Sequence, residues 1–184
     1  MKFIDRYLQN ARINKAKEFI RRDDTVLDIG AANGVLFEKC RDIIRYGVGI
    51  DPGLGSLVQT DLYTLLPGRF PDVYPKGIRF DVITMLAVLE HLSPDIQTLL
   101  PGGCFDLLNP KGRVIITVPS IKADSLLHVL KRMRIIDGMS LEEHHGFKPE
   151  MTMKIFPHQY FKLLHRQKFQ LGFNNLFVFE RQAA

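Results

Sequence analysis

The stretch TVLDIGAANGVL, residues 25–36, constrains the fold of this chain more than any other. Its apolar run predicts a buried strand, and Gly30 and Gly34 lie in a turn before a segment whose apolar residues repeat at helical spacing. A second short strand, YGVGID, follows that helix. Because neighbouring parallel strands need a crossover such as a helix, these three segments predict a βαβ unit.

The rest of the chain continues the alternation. Further strands are predicted in SLVQTD, FDVITMLAVL and RVIITVP. An amphipathic helix is expected before the first strand, because residues 4, 8, 11, 19 and 20 are apolar. Only the short link PGLG separates the second and third strands, so the usual crossover helix is expected to be absent there.

Four later segments complete the predicted element order. Residues 67–79 hold three prolines and two glycines and predict a surface loop, and the PGG of residues 101–103 is expected to break the helix after the fourth strand. Two helical segments are predicted between residues 121 and 168, around a polar loop. The runs FQLGF and NLFVFE, separated by NN, favour an antiparallel hairpin at a sheet edge.

Composition fits one globular, cytoplasmic domain. The chain has 184 residues, of which 46% are hydrophobic and 24% charged. The longest apolar run, VITMLAVL, is far shorter than the roughly 20 residues that cross a bilayer, and the start of the sequence lacks a signal-peptide core. The net charge of +5 is compatible with an anionic partner and also with a solvated basic surface. The two cysteines form no CxxC pair, and no metal site is expected.

Three acids are predicted at the ends of the first three strands: Asp28, Asp51 and Asp61. Doubly wound sheets bind ligands at the carboxyl ends of their strands, where the strand order reverses. Asp51 suits a ribose diol, because a carboxylate accepts hydrogen bonds from both hydroxyls. A dinucleotide site would show GxGxxG facing a pyrophosphate, whereas DIGAANG places an acid there. That acid favours a ligand with a positive amino group and a sulfonium, which is the character of S-adenosylmethionine.

Five segments, in order, resemble the class I, Rossmann-like S-adenosylmethionine-dependent methyltransferases that carry DxGxxxG. They are LDIGAANG, GVGIDPG, TDL, FDVITMLAVLEHL and LLNPKGRVIITVP. The resemblance covers roughly residues 20–120. It implies an α/β, Rossmann-like doubly wound, mostly parallel seven-stranded sheet with an antiparallel C-terminal hairpin, in a single domain.

Within that domain we expect an N-terminal helix in residues 1–22 and a cofactor-binding core in residues 23–119. Residues 120–160 are expected to form a lid over the acceptor, and residues 161–184 a closing helix end and hairpin.

The resemblance also implies which residues hold the S-adenosylmethionine cofactor. Gly30, Ala31 and Gly34 would contact its methionyl part, with Asp28 near the amino group, and Asp51 would hold the ribose hydroxyls. The remaining implied contacts are with the adenine and the end of the fourth strand: Asp61 and Leu62, and Met85 and Leu86.

Candidates for the acceptor side follow the fourth and fifth strands. His91 lies in LEHL, and His144 and His145 lie in EHHGFKPE, which resembles the EHxxFxPE segment that relatives carry in the acceptor region. These histidines are candidate general bases, which are needed only if the acceptor must lose a proton. Each could instead serve a structural role: His91 bonded to backbone at a helix start, and the EEHHG group in a solvated loop.

A small-molecule, sugar or lipid-linked acceptor is favoured over nucleic acid. The fourth strand lacks the Asn/Asp-Pro-Pro-Tyr/Phe pattern of exocyclic-amine methylases, and no Pro-Cys nucleophile is present. The segment LLHVLKRMRII, residues 126–136, fits a membrane-facing helix, a substrate lid or ordinary core packing. A dinucleotide-binding, dehydrogenase-type protein is the enzymatic alternative. A noncatalytic binding module with a nucleic-acid or protein partner is the other alternative, because the crossover helix after Asp51 is missing.

Overall fold

The computed structural model describes residues 3–120 and 147–183. Four α-helices lie in these ranges: α1 Phe3–Lys17, α2 Val35–Lys39, α3 Pro94–Leu107 and α4 Met151–Ile155. Eight strands form one sheet: β1 Thr25–Ile29, β2 Tyr46–Asp51, β3 Val58–Gln59, β4 Tyr63–Pro67, β5 Phe80–Leu86, β6 Leu108–Pro119, β7 Phe161–Phe169 and β8 Asn174–Arg181. Two short 3-10 helices complete the elements: Leu89–His91 and Gln170–Gly172.

The sheet has the strand order β3-β4-β2-β1-β5-β6-β8-β7. The five central strands, β4, β2, β1, β5 and β6, run parallel. At one edge β3 pairs antiparallel with β4, and at the other β8 and β7 form an antiparallel hairpin beside β6. The strand order reverses between β1 and β5, so the ligand crevice is expected at the carboxyl ends of these two strands.

Side chains alternate between the two faces of the sheet. Leu27 and Met85 belong to the core that packs against α3, through residues such as Leu100. Val26 and Ile115 face the other way, into the core under α1 and α2. The predicted doubly wound α/β fold, with a single sheet covered on both faces, is therefore confirmed.

Two elements of the cofactor half match the sequence predictions. The amphipathic N-terminal helix forms as α1, and its Ile13 and Ala16 are buried against the sheet. No helix lies between β2 and β3, as the short link PGLG predicts. The loop predicted for residues 67–79 holds no helix or strand beyond the last residue of β4, Pro67.

The third predicted strand is misplaced, and the sheet has eight strands rather than seven. Within SLVQTD only Val58 and Gln59 are extended, as the antiparallel edge strand β3. The parallel neighbour of β2 is β4, whose Tyr63 and Leu65 are buried while β3 is exposed. Burial explains the difference, since β4 rather than β3 supplies apolar side chains to the core under α2.

The PGG of residues 101–103 does not break a helix, because α3 continues through it to Leu107. Pro101 and Leu100 are buried against the sheet, and packing of this face outweighs the hydrogen bond lost at the proline. A Cβ on Gly103 would lie 2.8 Å from the Phe70 ring. The glycine therefore lets that aromatic side chain pack directly on the helix.

The C-terminal hairpin is present, but its boundaries differ from the prediction. Residues 161–168 were expected to end a helix and instead lie in β7, because pairing along β8 overrides their local pattern. The turn is formed by Gln170–Gly172, and the NN pair begins β8.

The helical segments, and most of the lid, predicted between residues 121 and 146 lie outside the described residues. In the ranges that the structure does describe, no helix is both long and apolar enough to cross a membrane.

Candidate active site

The turn after β1 brings three strand ends together. The backbone N–H groups of Gly30 and Ala31 donate to the Ile50 carbonyl oxygen at 2.8 and 3.2 Å. Gly30 has a φ of +82°, and a Cβ there would lie 2.3 Å from the Val88 side chain. A residue with a side chain would be both strained and blocked at this position. Gly30 thus closes the turn over the carboxyl ends of β1, β2 and β5.

Asp51 is the last residue of β2, and its carboxylate connects two backbone turns. Its Oδ2 accepts a hydrogen bond from the Ala32 N–H at 2.8 Å, and its Oδ1 accepts one from the Gly53 N–H at 2.7 Å. A carboxylate has about four lone-pair sites, so two acceptor sites remain. The carboxylate is held in place at the carboxyl edge and can still accept from two ligand hydroxyls.

Asp28 is buried beneath the turn, with 4% of its surface exposed. Burial raises its pKa to about 7. Thr84 Oγ1 donates a hydrogen bond to Asp28 Oδ1 at 2.6 Å, and this bond lowers the pKa. The negative charge of Asp51 raises it further. Desolvation of the charged form is the dominant cause. A positively charged ligand group beside Asp28 would therefore favour its carboxylate form strongly.

A pocket lies between the turn and α1. Its walls come from α1, from β1 and the turn after it, from α2 and from the end of β5: Gln9, Arg12, Ile13, Asp28, Gly30, Ala31, Val35, Leu36 and Leu86. Arg12 and Asp28 are its two charged residues. Burial lowers the pKa of Arg12 and the carboxylates of Glu90 and Asp5 counteract this, but a guanidinium remains protonated in either case. The pocket therefore offers one cation and one acid to the same ligand.

Two alanines at this edge have left-handed backbone. Ala32 in the turn after β1 has a φ of 46°, and Ala87 directly after β5 has a φ of 60°. Non-glycine residues in this region are strained by roughly 1–3 kcal/mol, and such strain is common at ligand sites. The strained positions flank the pocket from two strand ends.

The structure brings most of the predicted cofactor residues together. Asp28, Gly30, Ala31 and Leu86 line the pocket, and Asp51 lies beside it at the end of β2. Gly34 precedes α2, with a φ of +78°.

Met85 is different, because its side chain is fully buried in the core on the opposite face of the sheet. Its side chain faces away from the pocket, since residues alternate along a strand and Leu86 takes the pocket side; the lining role of Met85 stays a prediction.

Asp61 and Leu62 do not lie at the carboxyl edge. They precede β4, whose first residue, Tyr63, pairs with Gly47 near the start of β2. Asp61 is exposed at the amino edge of the sheet, away from Asp51, and the contact of this pair with the adenine stays a prediction. The residues beside Asp51 at the carboxyl edge are Pro67 and Gly68, whose N–H donates to the Asp51 carbonyl oxygen at 3.2 Å.

The catalytic candidates divide between described and undescribed parts of the chain. His91 ends the 3-10 helix Leu89–His91, which begins three residues after β5, and is thus close in sequence to the carboxyl end of that strand. Its neighbour Glu90 is 2% exposed. His144 and His145 lie outside the described residues.

Arg12 and Gln9 are site residues that the sequence reasoning missed. They lie in an amphipathic helix with three other Lys and Arg residues nearby, in IDRYLQNARINKAK, and the pattern alone does not separate a pocket residue from a solvated one. The available signal is position: an arginine one residue before the buried Ile13 lies at the border of the apolar face.

A family model described as a methyltransferase domain matches residues 2–167. Among curated proteins the chain is similar to ubiquinone biosynthesis O-methyltransferases. That of Azorhizobium caulinodans is 29% identical over 100 residues, which cover 50% of this chain and 39% of the relative. That of Azotobacter vinelandii is 31% identical over 113 residues, or 56% and 48% of the two chains. The chain spans about half the length, or less, of these two relatives.

A solved structure also resembles this chain over most of its length. It is the Burkholderia thailandensis 1,6-didemethyltoxoflavin-N1-methyltransferase with bound 1,6-didemethyltoxoflavin and S-adenosylhomocysteine. The TM-score is 0.70 at 16% identity, covering 97% of this chain and 82% of that one. At this identity the likeness concerns the fold.

Proposed function

The chain belongs to the methyltransferase domain family, and we propose that it transfers a methyl group from S-adenosylmethionine to a hydroxyl oxygen of a small-molecule or lipid-linked acceptor. The observation that carries this proposal is the pocket under α1, where Asp28 and Arg12 face one ligand volume. The ammonium and carboxylate of an amino acid match this pair in charge. A pyrophosphate, which a dinucleotide would place here, matches Arg12 but not Asp28.

The site fits the cofactor at its other end as well. Asp51 keeps two lone-pair sites after accepting from Ala32 and Gly53, which suits the two hydroxyls of a ribose. Gly30 and Ala31 line the pocket beside Asp28, so a ligand that spans Asp28 and Asp51 would lie against this turn. We place the adenine beyond Asp51, toward Pro67 and Gly68.

The bound cofactor supplies a methyl group activated by a sulfonium, and transfer is an in-line displacement by the acceptor atom. The work of this chain is to hold the two reactants in line, which can account for a large part of the acceleration. Asp28 and Arg12 would hold the amino acid end of the cofactor and Asp51 would hold its ribose. Leu86 packs along the pocket wall and excludes water from that side.

Oxygen as the acceptor atom is supported by the relatives, which are named O-methyltransferases of ubiquinone biosynthesis. A hydroxyl group is a much weaker nucleophile than its anion, so such an acceptor gains from a base that removes its proton. We propose His91 for this role, because it follows the end of β5, where the crevice opens away from Asp51. His144 and His145 remain proposed acceptor-site residues of the lid.

Product analysis with labelled S-adenosylmethionine tests this proposal. The acceptors are catechols with and without an apolar tail, together with a primary amine and an aromatic nitrogen heterocycle. We expect a labelled methyl ether on a catechol. Labelling of the nitrogen acceptors alone, or of none, would contradict the oxygen acceptor.

The base has its own test. His91→Gln should lower kcat by about a hundredfold or more with the catechol that the wild-type protein methylates, with unchanged affinity for S-adenosylhomocysteine. The matched control is His158→Gln, because His158 is exposed in the loop before β7, near the amino end of β6. Equal kcat values for the two variants would remove His91 from the mechanism.

A further inference from the structure

The NN pair at the start of β8 lies at the carboxyl edge of the sheet. Asn174 pairs with Pro119, the last residue of β6, and Asn175 pairs with Val118. Both asparagines are buried, with 2% and 1% of their surface exposed. Because residues alternate along a strand, their side chains point to opposite faces, and Asn174 points to the face covered by α1. The pair is therefore part of the sheet, not of the hairpin turn.

Asn174 connects the cofactor pocket to that turn. Its Oδ1 accepts a hydrogen bond from Arg12 Nε at 3.2 Å, and its Nδ2 donates to Gln170 Oε1 at 2.6 Å. Arg12 lines the pocket beside Asp28, and Gln170 begins the turn between β7 and β8. A single buried amide thus joins the turn to Arg12, which lies 162 residues before Asn174 in the sequence.

A bond at Nε has a specific consequence for an arginine. The guanidinium is planar, so fixing Nε fixes the plane in which its four terminal N–H groups lie. These are the groups that bind a carboxylate in a two-bond, fork-like geometry. Holding this plane in advance reduces the side-chain freedom that Arg12 would lose when a ligand binds.

The turn that holds Gln170 has an unusual backbone. Gln170, Leu171 and Gly172 have φ values of 50°, 56° and 87°, so three consecutive residues are left-handed, two of them with side chains. Leu171 is 98% exposed and gains nothing from burial. The bond from Asn174 to Gln170 is one interaction that offsets this strain, and Arg12, Asn174 and the turn therefore support one another.

We propose that Asn174 is a positioning residue, which holds Arg12 in the orientation that binds the carboxylate of the cofactor's methionyl part. This inference rests on the proposed function, since it assumes that the pocket receives that carboxylate. Through Gln170 it also makes the β7–β8 turn part of the cofactor site.

Two ligands separate this role from a general structural one. S-Adenosylhomocysteine carries the amino acid end, whereas 5′-methylthioadenosine shares its adenosine but has neither the ammonium nor the carboxylate. Asn174→Ala should weaken S-adenosylhomocysteine binding about five- to twentyfold and change 5′-methylthioadenosine binding by less than about twofold. Retained binding of the second ligand also shows that the variant is folded.

Asn175→Ala is the matched control. Asn175 is the adjacent, equally buried asparagine, and its Nδ2 has no hydrogen-bond partner within residues 3–120 and 147–183. We expect this variant to leave the ratio of the two affinities unchanged. In an Arg12→Ala background, Asn174→Ala should have no further effect on that ratio, because the group that it positions is gone.

The outcomes distinguish this inference from the function on which it rests. If Arg12→Ala lowers the affinity ratio and Asn174→Ala does not, or if the two effects add, the positioning role is wrong and the carboxylate site stands. If Asn174→Ala weakens the binding of both ligands equally, Asn174 has only a structural role. If Arg12→Ala itself leaves the ratio unchanged, the proposed carboxylate site fails, and the inference fails with it.

Discussion

Asp28 is the residue through which pH should act on cofactor binding. Its pKa is raised to about 7 by burial, so the unliganded site is partly protonated at neutral pH. The ammonium of the cofactor needs the carboxylate form, and we therefore expect affinity for S-adenosylhomocysteine to rise between about pH 6 and about pH 8. Calorimetric titration across this range measures the effect.

Asp28→Asn provides the control, because an amide oxygen can still accept the hydrogen bond from Thr84. Its affinity should be lower and nearly independent of pH in this range. The stability of the unliganded protein should depend on pH with the opposite sign. The pKa of Asp28 is higher in the folded state than its unfolded value of about 3.9, so Asp28 stabilises the fold at low pH. This contribution is lost as pH rises to about 7. A wild-type affinity that does not change with pH would contradict the role of Asp28.

Substitution of Gly30 tests how much the close contact between this turn and Val88 contributes to stability. Gly30→Ala combines a φ of +82° with a contact of 2.3 Å to Val88, and we expect a loss of about 2–4 kcal/mol in unfolding free energy. Gly77 is a matched control, because it has a φ of +75° with no heavy atom within 4 Å of an added Cβ. Gly77→Ala should cost only the backbone strain, about 1–2 kcal/mol. Equal losses in urea unfolding would show that the Val88 contact is unimportant.

At the scale of elements, Arg113 on β6 holds the connection between α1 and β1. Its guanidinium donates to Asp24 Oδ2 at 2.7 Å and to the Phe19 carbonyl oxygen at 2.6 Å, and both charged side chains are buried. Arg113→Met would leave the Asp24 carboxylate buried without its cation, and we expect a loss of about 3–5 kcal/mol in unfolding free energy.

A second ion pair of the same length is the control. Arg41 and Glu38 also lie 2.7 Å apart, but both are exposed on the surface. Arg41→Met should therefore change the unfolding free energy far less than Arg113→Met, because solvent screens an exposed pair. Similar losses in the two variants would mean that the Arg113 pair contributes no more than a surface contact.

Elements could be predicted from the sequence where periodicity and burial agree. The buried strand ending at Ile29 and the helix α1 are such cases, and so is the missing helix after Asp51. Prediction failed where tertiary pairing decided the outcome. Residues 161–168 are extended because β8 lies beside them, and α3 continues through Pro101 because its buried face packs on the sheet. Neither partner is visible in a local window.

For the candidate site, too, local motifs could be predicted from the sequence and long-range contacts could not. Asp28, Gly30 and Asp51 lie in local motifs at strand ends, and the parallel sheet brings those ends together. The local pattern of SLVQTD predicts the parallel neighbour of β2, whereas β4 takes that position, so Asp61 lies at the amino edge and not at the carboxyl edge. Arg12 and Asn174 are linked across nearly the whole chain, and no local pattern reveals such a bond.

For the whole molecule, one crevice depends on both ends of the chain. Its walls come from α1, α2, β1 and the end of β5, and the residue that contacts Arg12 comes from β8. Under the proposed function, the N-terminal helix and the C-terminal hairpin both contribute to the cofactor site.

The central claim is that this crevice binds S-adenosylmethionine, and calorimetric titration with S-adenosylhomocysteine tests it most directly. We expect the wild-type protein to bind, and Asp51→Ala to weaken binding by about 1.5–3 kcal/mol while the fold is retained. Asp61→Ala, which changes an exposed acid at the opposite edge of the sheet, should bind as the wild type does. Absence of binding by the wild type, with binding of NAD instead, would contradict the account.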